Sequence, residues 1–186
     1  MDPDQLDNII KGCKSGKMKD QEVLYREFSG ILFSVCLYYS KDYTEAEDIL
    51  HEGFMKIYQN ISKYRYKGSF EGWMRRIMIN TALEKFRKER HLHALRDIDD
   101  HEEDFSSNEI ISDITAKDLI GLIQQLSPKY RMVFNLYAIE GYSHKEISKM
   151  MGISEGTSKS NLARARSILQ KKVKKQFYSA TKQVSI

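Results

Sequence analysis

Residues 141–166, GYSHKEISKMMGISEGTSKSNLARAR, carry the signals of two short helices joined at a tight turn. Ser143 and Glu146 match the capping box, in which a serine and a glutamate three residues later bond each other's backbone amides at a helix start. Gly152 suits the left-handed residue that ends a helix, and Ser154 suits the N-cap of the next one. The pattern predicts a helix-turn-helix, whose second helix begins by meeting base edges in the major groove of DNA.

The second predicted helix has short or flexible polar side chains near its N-terminus. Such groups contact base edges and phosphates. The candidates for DNA contact are Thr157, Ser158, Lys159, Ser160, Asn161 and Arg164. After Glu155 the chain has no acidic residue while lysines and arginines accumulate, which favours attraction to a polyanion. A helical hairpin that serves only packing is the alternative, and the caps together with the one-sided charge weaken it.

The rest of the chain shows apolar residues at steps of three and four, and strand signals are scarce. The sequence therefore predicts an all-α protein. Helices are expected from about Asp20 to Tyr39, from a capping box at Thr44 to about Ile61, and from Ser69 to about His91. Helical spacing returns from Ile114 to Leu126, and Ser127-Pro128 then marks a new helix start.

Charge is strongly segregated along the chain, although the net charge is only +4. Residues 73–90 are basic, residues 97–113 carry acidic side chains and no lysine or arginine, and the C-terminal segment is basic again. The acidic stretch lacks a sustained apolar period and is interpreted as a connector. We expect two small helical domains, at 1–93 and 113–178, with a linker at 94–112 and a tail at 179–186.

One face of the helix predicted after Ser69 combines an aromatic ring, an amide and two guanidinium groups. Trp73, Arg76, Asn80 and Arg87 fall within a narrow sector at 100° per residue. Rings and cations in line are typical of single-strand nucleic-acid binding. A solvated basic face explains this set equally well when it is taken alone.

The helix predicted after Thr44 has a mostly acidic face opposite its apolar stripe, and solvation and a protein partner explain that face equally well. Its residues are Glu45, Asp48, Glu52 and Lys56. Two groups of side chains have donor atoms that suit a metal, but no further ligand cluster accompanies either of them, so neither indicates a metal site. These are Glu47 with Asp48, His51 and Glu52, and the pair His91 and His93.

Several functional classes are disfavoured by composition. No apolar run approaches the roughly 20 residues of a membrane span, and the N-terminus lacks a secretory pattern, so a cytoplasmic protein is expected. Cys13 and Cys36 share no CxxC spacing, and Cys36, within the apolar run ILFSVCLYY, is expected to be a buried thiol. No nucleophile pair or phosphate-binding loop indicates an enzyme, and no cofactor is expected.

The chain resembles bacterial sigma factors of the extracytoplasmic-function group, the two-domain initiation subunits of RNA polymerase. The resemblance extends from about Asp7 to Lys175 and rests on motifs in a specific order. These are LYREF at 24–28, AEDILHEGFMKIY at 46–58, KGSFEGWMRRIMIN at 67–80, LSPKYRMVF at 126–134 and the helix-turn-helix. A helix-turn-helix regulator that does not bind polymerase is the competing interpretation, and it leaves the first three motifs without a purpose.

The resemblance implies a role for each half of the chain. Residues 142–166 would bind the minus-35 promoter element, and the segment from Tyr64 to Arg90 would hold the melted minus-10 strand through Trp73, Arg76, Asn80 and Arg87. The candidates for docking on core RNA polymerase are Glu47, Asp48, Ile49, Glu52 and Phe54. The acidic connector would thread toward the RNA exit path, and an anti-sigma factor is a common partner in this family.

Two positions in the recognition helix depart from the family pattern. Ser158 stands where an apolar residue is common, and Asn161 stands where a basic residue is common. Base preference is therefore not transferable from relatives.

Overall fold

The computed structural model describes residues 1–94 and 116–183, and within these ranges it is helical without a strand. The predicted all-α fold is confirmed. The acidic stretch 97–113 lies outside the described residues. The α-helices are α1 (Pro3–Lys14), α2 (Met18–Tyr39), α3 (Tyr43–Asn60), α4 (Phe70–Ala94), α5 (Ala116–Gln124), α6 (Pro128–Phe134), α7 (His144–Met151) and α8 (Glu155–Gln183).

The chain divides into two compact units, residues 1–84 and 85–186, so the division falls inside α4. Helix α4 itself continues to Ala94, close to the boundary at residue 93 that the sequence predicts. The four-segment domain scheme stays a prediction. None of the helices in the described ranges has the length and apolar character that a membrane crossing requires.

Helix α1 is an addition to the sequence-based prediction. The Asp2 side chain accepts hydrogen bonds from the amides of Asp4 and Gln5, and Pro3 occupies the first turn, where a missing N–H costs nothing. Ile10 and Cys13 are buried and fix α1 to its unit. The start signal Asp2-Pro3 was available in the sequence, and Leu6, Ile9, Ile10 and Cys13 follow it at the spacing of one helix face.

The first unit is built around α2, α3 and the first half of α4. The predicted apolar stripe of α3 is buried, including Ala46, Ile57 and Ile61. At Gly53 a Cβ would run into the sulfur of Met78 on α4, so the Met78 side chain occupies the space that the glycine leaves on α3.

The start of α3 differs from the predicted capping box at Thr44. Asp42 is the N-cap and accepts from the amide of Glu45 at 2.8 Å. The Glu45 carboxylate in turn accepts from the amide of Lys41 at 2.6 Å, which leaves Glu45 only 9 % exposed. Glu45 therefore satisfies the helix start and does not belong to the outward acidic face.

The second unit surrounds α8 with α5, α6 and α7. Buried Arg131 on α6 donates to the carbonyls of Gln124 and Leu126 at 2.8 and 3.3 Å, so it satisfies groups at the end of α5 that lack a helical partner. Helix α6 continues as a π-helical turn, Asn135–Ile139, and ends at Gly141, whose positive φ of 76° reverses the chain.

Candidate nucleic-acid interface

Both helix starts of the predicted helix-turn-helix form as the sequence indicates. Ser143 and Glu146 make the reciprocal capping box of α7, and the chain leaves α7 through Gly152 at φ 65°. The Ser154 hydroxyl then accepts from the amide of Thr157 at 3.0 Å and caps α8. Leu162, Ala165 and Leu169 face inward, as predicted.

The N-terminal turns of α8 divide the six predicted DNA contacts into two groups. Four side chains are exposed and available to a ligand: Thr157, Lys159, Ser160 and Arg164. Ser158 is fully buried and Asn161 is 9 % exposed. These two lie on the inner face of α8, where they pack against the rest of the unit. They present no group to a base edge in this structure.

Ser158 is held by a polar contact with the first helix of the motif. Its Oγ lies 2.9 Å from Nδ1 of His144, the first residue of α7. The imidazole of His144 also stacks on Tyr137, with ring centroids 4.7 Å apart. The sequence contained the signal, because Ser158 precedes Leu162, Ala165 and Leu169 at steps of four, three and four.

Two arginines of α8 rest on tyrosine side chains of the same unit. Arg164 donates to the Tyr130 hydroxyl at 3.2 Å, and the guanidinium of Arg166 lies 5.5 Å from the ring centre of Tyr137. Both arginines remain exposed. Contacts of this kind limit the rotamers of a long side chain and reduce the entropy that it loses on binding a phosphate.

A cleft of about 280 Å³ opens between α3 and α4 in the first unit, and Trp73 and Asn80 of the predicted strand-binding set line it together. Its other lining residues are Lys56, Asn60, Lys63, Ile77 and Glu84. Arg76 and Arg87 are exposed on α4 and lie outside the lining. The cleft thus offers a ring and two amides to a ligand.

Charge in this cleft is unevenly distributed. Lys56 pairs with Glu52 and Glu84 at 2.7 and 2.8 Å. Burial lowers the pKa of Lys56, but the bonds to the two carboxylates outweigh it and the net pKa is raised. Lys56 is therefore a neutralised cation. Lys63 is exposed and donates to the Asn60 amide oxygen at 2.6 Å.

Trp73 belongs to an aromatic cluster at the start of α4, which we define as Tyr64, Tyr66, Phe70 and Trp73. Trp73 stacks on Phe70 at 5.5 Å and lies 5.5 Å from Tyr64, and Tyr64 contacts Phe70 and Tyr66 at 4.9 Å each. Offset and tilted rings at these distances attract one another and hold the exposed edge of Trp73 in place. Tyr66 was not among the predicted site residues.

The predicted polymerase-docking set on α3 also divides by exposure. Glu47, Asp48 and Glu52 are exposed and form an acidic surface. Ile49 and Phe54 are each 2 % exposed and pack inside the unit. The apolar pair therefore positions the acidic surface and does not itself reach a partner in this structure.

No three His, Cys, Asp or Glu side chains gather as metal ligands within the described part of the chain. Cys36 is a buried thiol, as expected, and Cys13 is buried as well. Burial raises the pKa of Cys13 to about 11 and that of Cys36 to about 12. Both thiols are thus protonated and poor nucleophiles at neutral pH.

Two family descriptions match the chain in succession. Residues 24–92 match Sigma-70 region 2, and residues 116–169 match Sigma-70, region 4. The first match covers the cleft and the acidic surface, and the second covers the helix-turn-helix.

Curated relatives extend the similarity across both units. The chain is 28 % identical to the ECF RNA polymerase sigma factor SigE of Mycolicibacterium smegmatis over 82 % of its length, and it spans 61 % of that protein. It is also 28 % identical to SigW of Bacillus subtilis, covering 89 % of this chain and 97 % of SigW. It is 25 % identical to the RNA polymerase sigma-H factor of Pseudomonas aeruginosa, covering 90 % and 93 %.

A solved structure shares the fold. It is the sigma factor RpoE of Bartonella quintana, crystallised with the anti-sigma factor NepR. The TM-score is 0.51 at 21 % identity, and the match covers 84 % of this chain and 98 % of the other.

Proposed function

The chain belongs to the sigma-70 family of transcription initiation factors, in its extracytoplasmic-function group, and we propose that it binds core RNA polymerase and directs initiation at promoters with minus-35 and minus-10 elements. The observation that supports this most directly is the order of its parts. A region 2 unit with a ring-and-amide cleft precedes a region 4 unit with an exposed recognition helix. A DNA-binding regulator that acts without polymerase would need only the second.

The first turns of α8 are the proposed minus-35 contact. Thr157 and Ser160 are short, exposed hydroxyl side chains, and Lys159 and Arg164 supply positive charge on the same stretch. Hydroxyl and guanidinium groups at a helix N-terminus suit base edges and phosphates of a major groove. Ser158 and Asn161 contribute by holding α8 against the rest of its unit.

The start of α4 and its cleft are the proposed minus-10 contact. Trp73 offers a ring face for stacking, and Asn80 offers an amide that both donates and accepts. Arg76 and Arg87, exposed on α4, would contact strand phosphates. Single-stranded DNA therefore fits this surface better than duplex DNA does.

The acidic surface of α3 is the proposed docking site for core polymerase. Glu47, Asp48 and Glu52 lie on one rigid helix whose inner side is fixed by Ile49 and Phe54. Charged groups at a rim mainly steer association and set specificity. We infer that the partner surface on the polymerase is basic. Because the chain would act on RNA polymerase, we also infer that it acts in the cytoplasm.

Transcription in vitro tests the proposal. A sigma-free bacterial core polymerase is incubated with genomic promoter fragments, with and without this chain, and transcripts are mapped. We expect discrete new start sites, each preceded by two shared sequence elements. If no transcript depends on the chain while it still binds DNA alone, a polymerase-independent regulator is the better account.

Two variants separate the proposed steps. Reversal of charge at Glu47 and Asp48 is expected to abolish polymerase binding in a pull-down and to leave binding of minus-35 duplex unchanged. Lys159→Ala should weaken the binding of minus-35 duplex and leave polymerase binding unchanged. Loss of both activities in each variant would contradict the assignment of the two surfaces.

A protein inhibitor is the remaining proposed partner. An anti-sigma factor would cover the acidic surface of α3 and so compete with polymerase. The test is competition: a protein that copurifies with the chain from its native cells should release it from core polymerase, and the charge-reversed variant should fail to bind that protein.

A further inference from the structure

Helix α1 touches the segment that links α3 to α4, residues 61–69, through two polar contacts distant in sequence. The Lys14 ammonium donates to the carbonyl of Tyr64 at 3.2 Å. The Tyr66 hydroxyl donates to the Asp7 carboxylate at 2.7 Å. The Lys14 ammonium also lies 4.8 Å from the ring centre of Tyr66. Lys14 and Asp7 of α1 thus hold the linking segment at two points, the Tyr64 carbonyl and the Tyr66 side chain.

The linking segment has an unusual backbone conformation at Tyr66. Tyr66 has φ 58°, the only positive value at a non-glycine residue in the described ranges. A residue with a Cβ and a bulky ring rarely adopts this conformation, because the side chain crowds the backbone there. The conformation persists where surrounding contacts hold it, and such positions cluster at functional sites.

Tyr64 and Tyr66 belong to the same cluster of aromatic ring contacts as Trp73. The ring of Tyr64 contacts those of Tyr66, Phe70 and Trp73 at centroid distances of 4.9 to 5.5 Å. The Tyr64 hydroxyl donates to the carbonyl of Gly68 at 2.9 Å and closes the segment on itself. A displacement at Tyr64 or Tyr66 therefore reaches the indole through ring contacts alone.

We infer that α1 is a positioning element for the minus-10 surface, in which Asp7 and Lys14 hold Tyr64 and Tyr66 so that the aromatic cluster presents Trp73 to the melted strand. The inference rests on the proposed function of that surface. Asp7 is in turn oriented by Lys11, one turn away, at 2.6 Å. Neither Asp7 nor Lys14 needs to touch DNA for this role.

The two hydrogen bonds between α1 and the linking segment can be removed without unfolding the unit. Ile10 and Cys13, which are 2 % and 3 % exposed, fix α1 to its unit through apolar contacts. Tyr66 is 51 % exposed, so Tyr66→Phe removes the hydroxyl and keeps the ring. Asp7→Ala and Lys14→Met remove the other two partners. Asp4→Ala and Lys19→Met make the same chemical changes at exposed residues and serve as matched controls.

Two measurements on the full chain test the inference. Trp73 is the only tryptophan in the sequence, so acrylamide quenching of its fluorescence reports on the aromatic cluster directly. The second measurement uses holoenzyme and compares its affinity for two single-stranded oligonucleotides. One is the non-template strand of a minus-10 region that the wild-type holoenzyme selects, and the other is its scrambled sequence.

We expect Tyr66→Phe, Asp7→Ala and Lys14→Met to increase quenching and to reduce the ratio of the two affinities by roughly threefold to tenfold, the usual range for one lost hydrogen bond. The controls should match wild type, and circular dichroism should be unchanged in all variants. Altered quenching with an unchanged ratio would overturn the inference, and so would a reduced ratio with unchanged quenching, because that indicates direct contact with DNA. If wild-type holoenzyme binds neither oligonucleotide, the proposed minus-10 function fails first and the inference falls with it.

Discussion

The buried contact between His144 and Ser158 predicts a measurable coupling between the two helices of the helix-turn-helix. The imidazole Nδ1 and the hydroxyl Oγ are 2.9 Å apart. Ser158→Ala removes the partner of a ring that is only partly buried, so water replaces it and the cost is about 0.5–1 kcal/mol. His144→Phe keeps the stacking on Tyr137 but leaves the buried Ser158 hydroxyl facing an apolar ring, at a cost of about 1–3 kcal/mol.

The double variant of Ser158→Ala and His144→Phe isolates the interaction energy of the pair, because it removes both polar groups and leaves neither without a partner. The two single effects are expected to exceed the double effect by about 1 kcal/mol, which is the coupling energy. Ser167→Ala, at an exposed position on the same helix, is the matched control and is expected to change stability by less than about 0.5 kcal/mol.

Urea unfolding of the full chain measures these energies with two probes. Far-UV circular dichroism follows helices in both units, whereas Trp73 fluorescence follows the first unit alone. The variants are expected to shift the dichroism transition and to leave the fluorescence transition in place. Additive single effects, with a coupling below about 0.3 kcal/mol, would refute the claim that His144 holds the recognition helix through Ser158.

Three further outcomes are expected. Gly53→Ala should lower the free energy of unfolding by about 1–3 kcal/mol, because the added methyl group displaces the buried Met78 side chain. Gly30→Ala, on open helix surface, should raise it by about 0.5–1 kcal/mol. Thermal or urea denaturation checks both, and equal effects would contradict the packing of Met78 against Gly53. Because the thiol pKa values of Cys13 and Cys36 are raised, labelling by iodoacetamide at pH 8 should be slow in the native chain and rapid in urea, and rapid native labelling would contradict their burial. Lys159→Ala should reduce the slope of log affinity against log salt for minus-35 duplex by about 1, and an unchanged slope would remove Lys159 from the phosphate contacts.

Local signals in the sequence account for most of the fold. Caps and glycines are short-range devices, so Ser143, Gly152 and Ser154 could be identified without tertiary information, and the helices that they bound form as predicted. Apolar spacing likewise identified the buried faces of α3 and α8. Helix α1 has local signals of the same kind, the Asp2 cap and the helical spacing of Leu6, Ile10 and Cys13, although the first predicted helix began only at about Asp20.

The local sequence did not predict which polar side chains are exposed. Ser158, Asn161 and Glu45 carry groups typical of surfaces, yet each is buried, because a hydrogen bond or the helix phase places it on an inner face. Most buried polar groups in proteins have a hydrogen-bond partner, and residues distant in the chain can supply that partner.

Sequence alone determined the two-part helical organisation, the helix-turn-helix and the family resemblance, since caps, periodicity and motif order are properties of neighbouring residues. Only the tertiary structure decided which candidate residues line a common surface. It joined Trp73 with Asn80 in one cleft and brought α1 to Tyr64 and Tyr66 across about 50 to 60 residues of chain. Such contacts arise from the packing of whole helices, which no local pattern encodes.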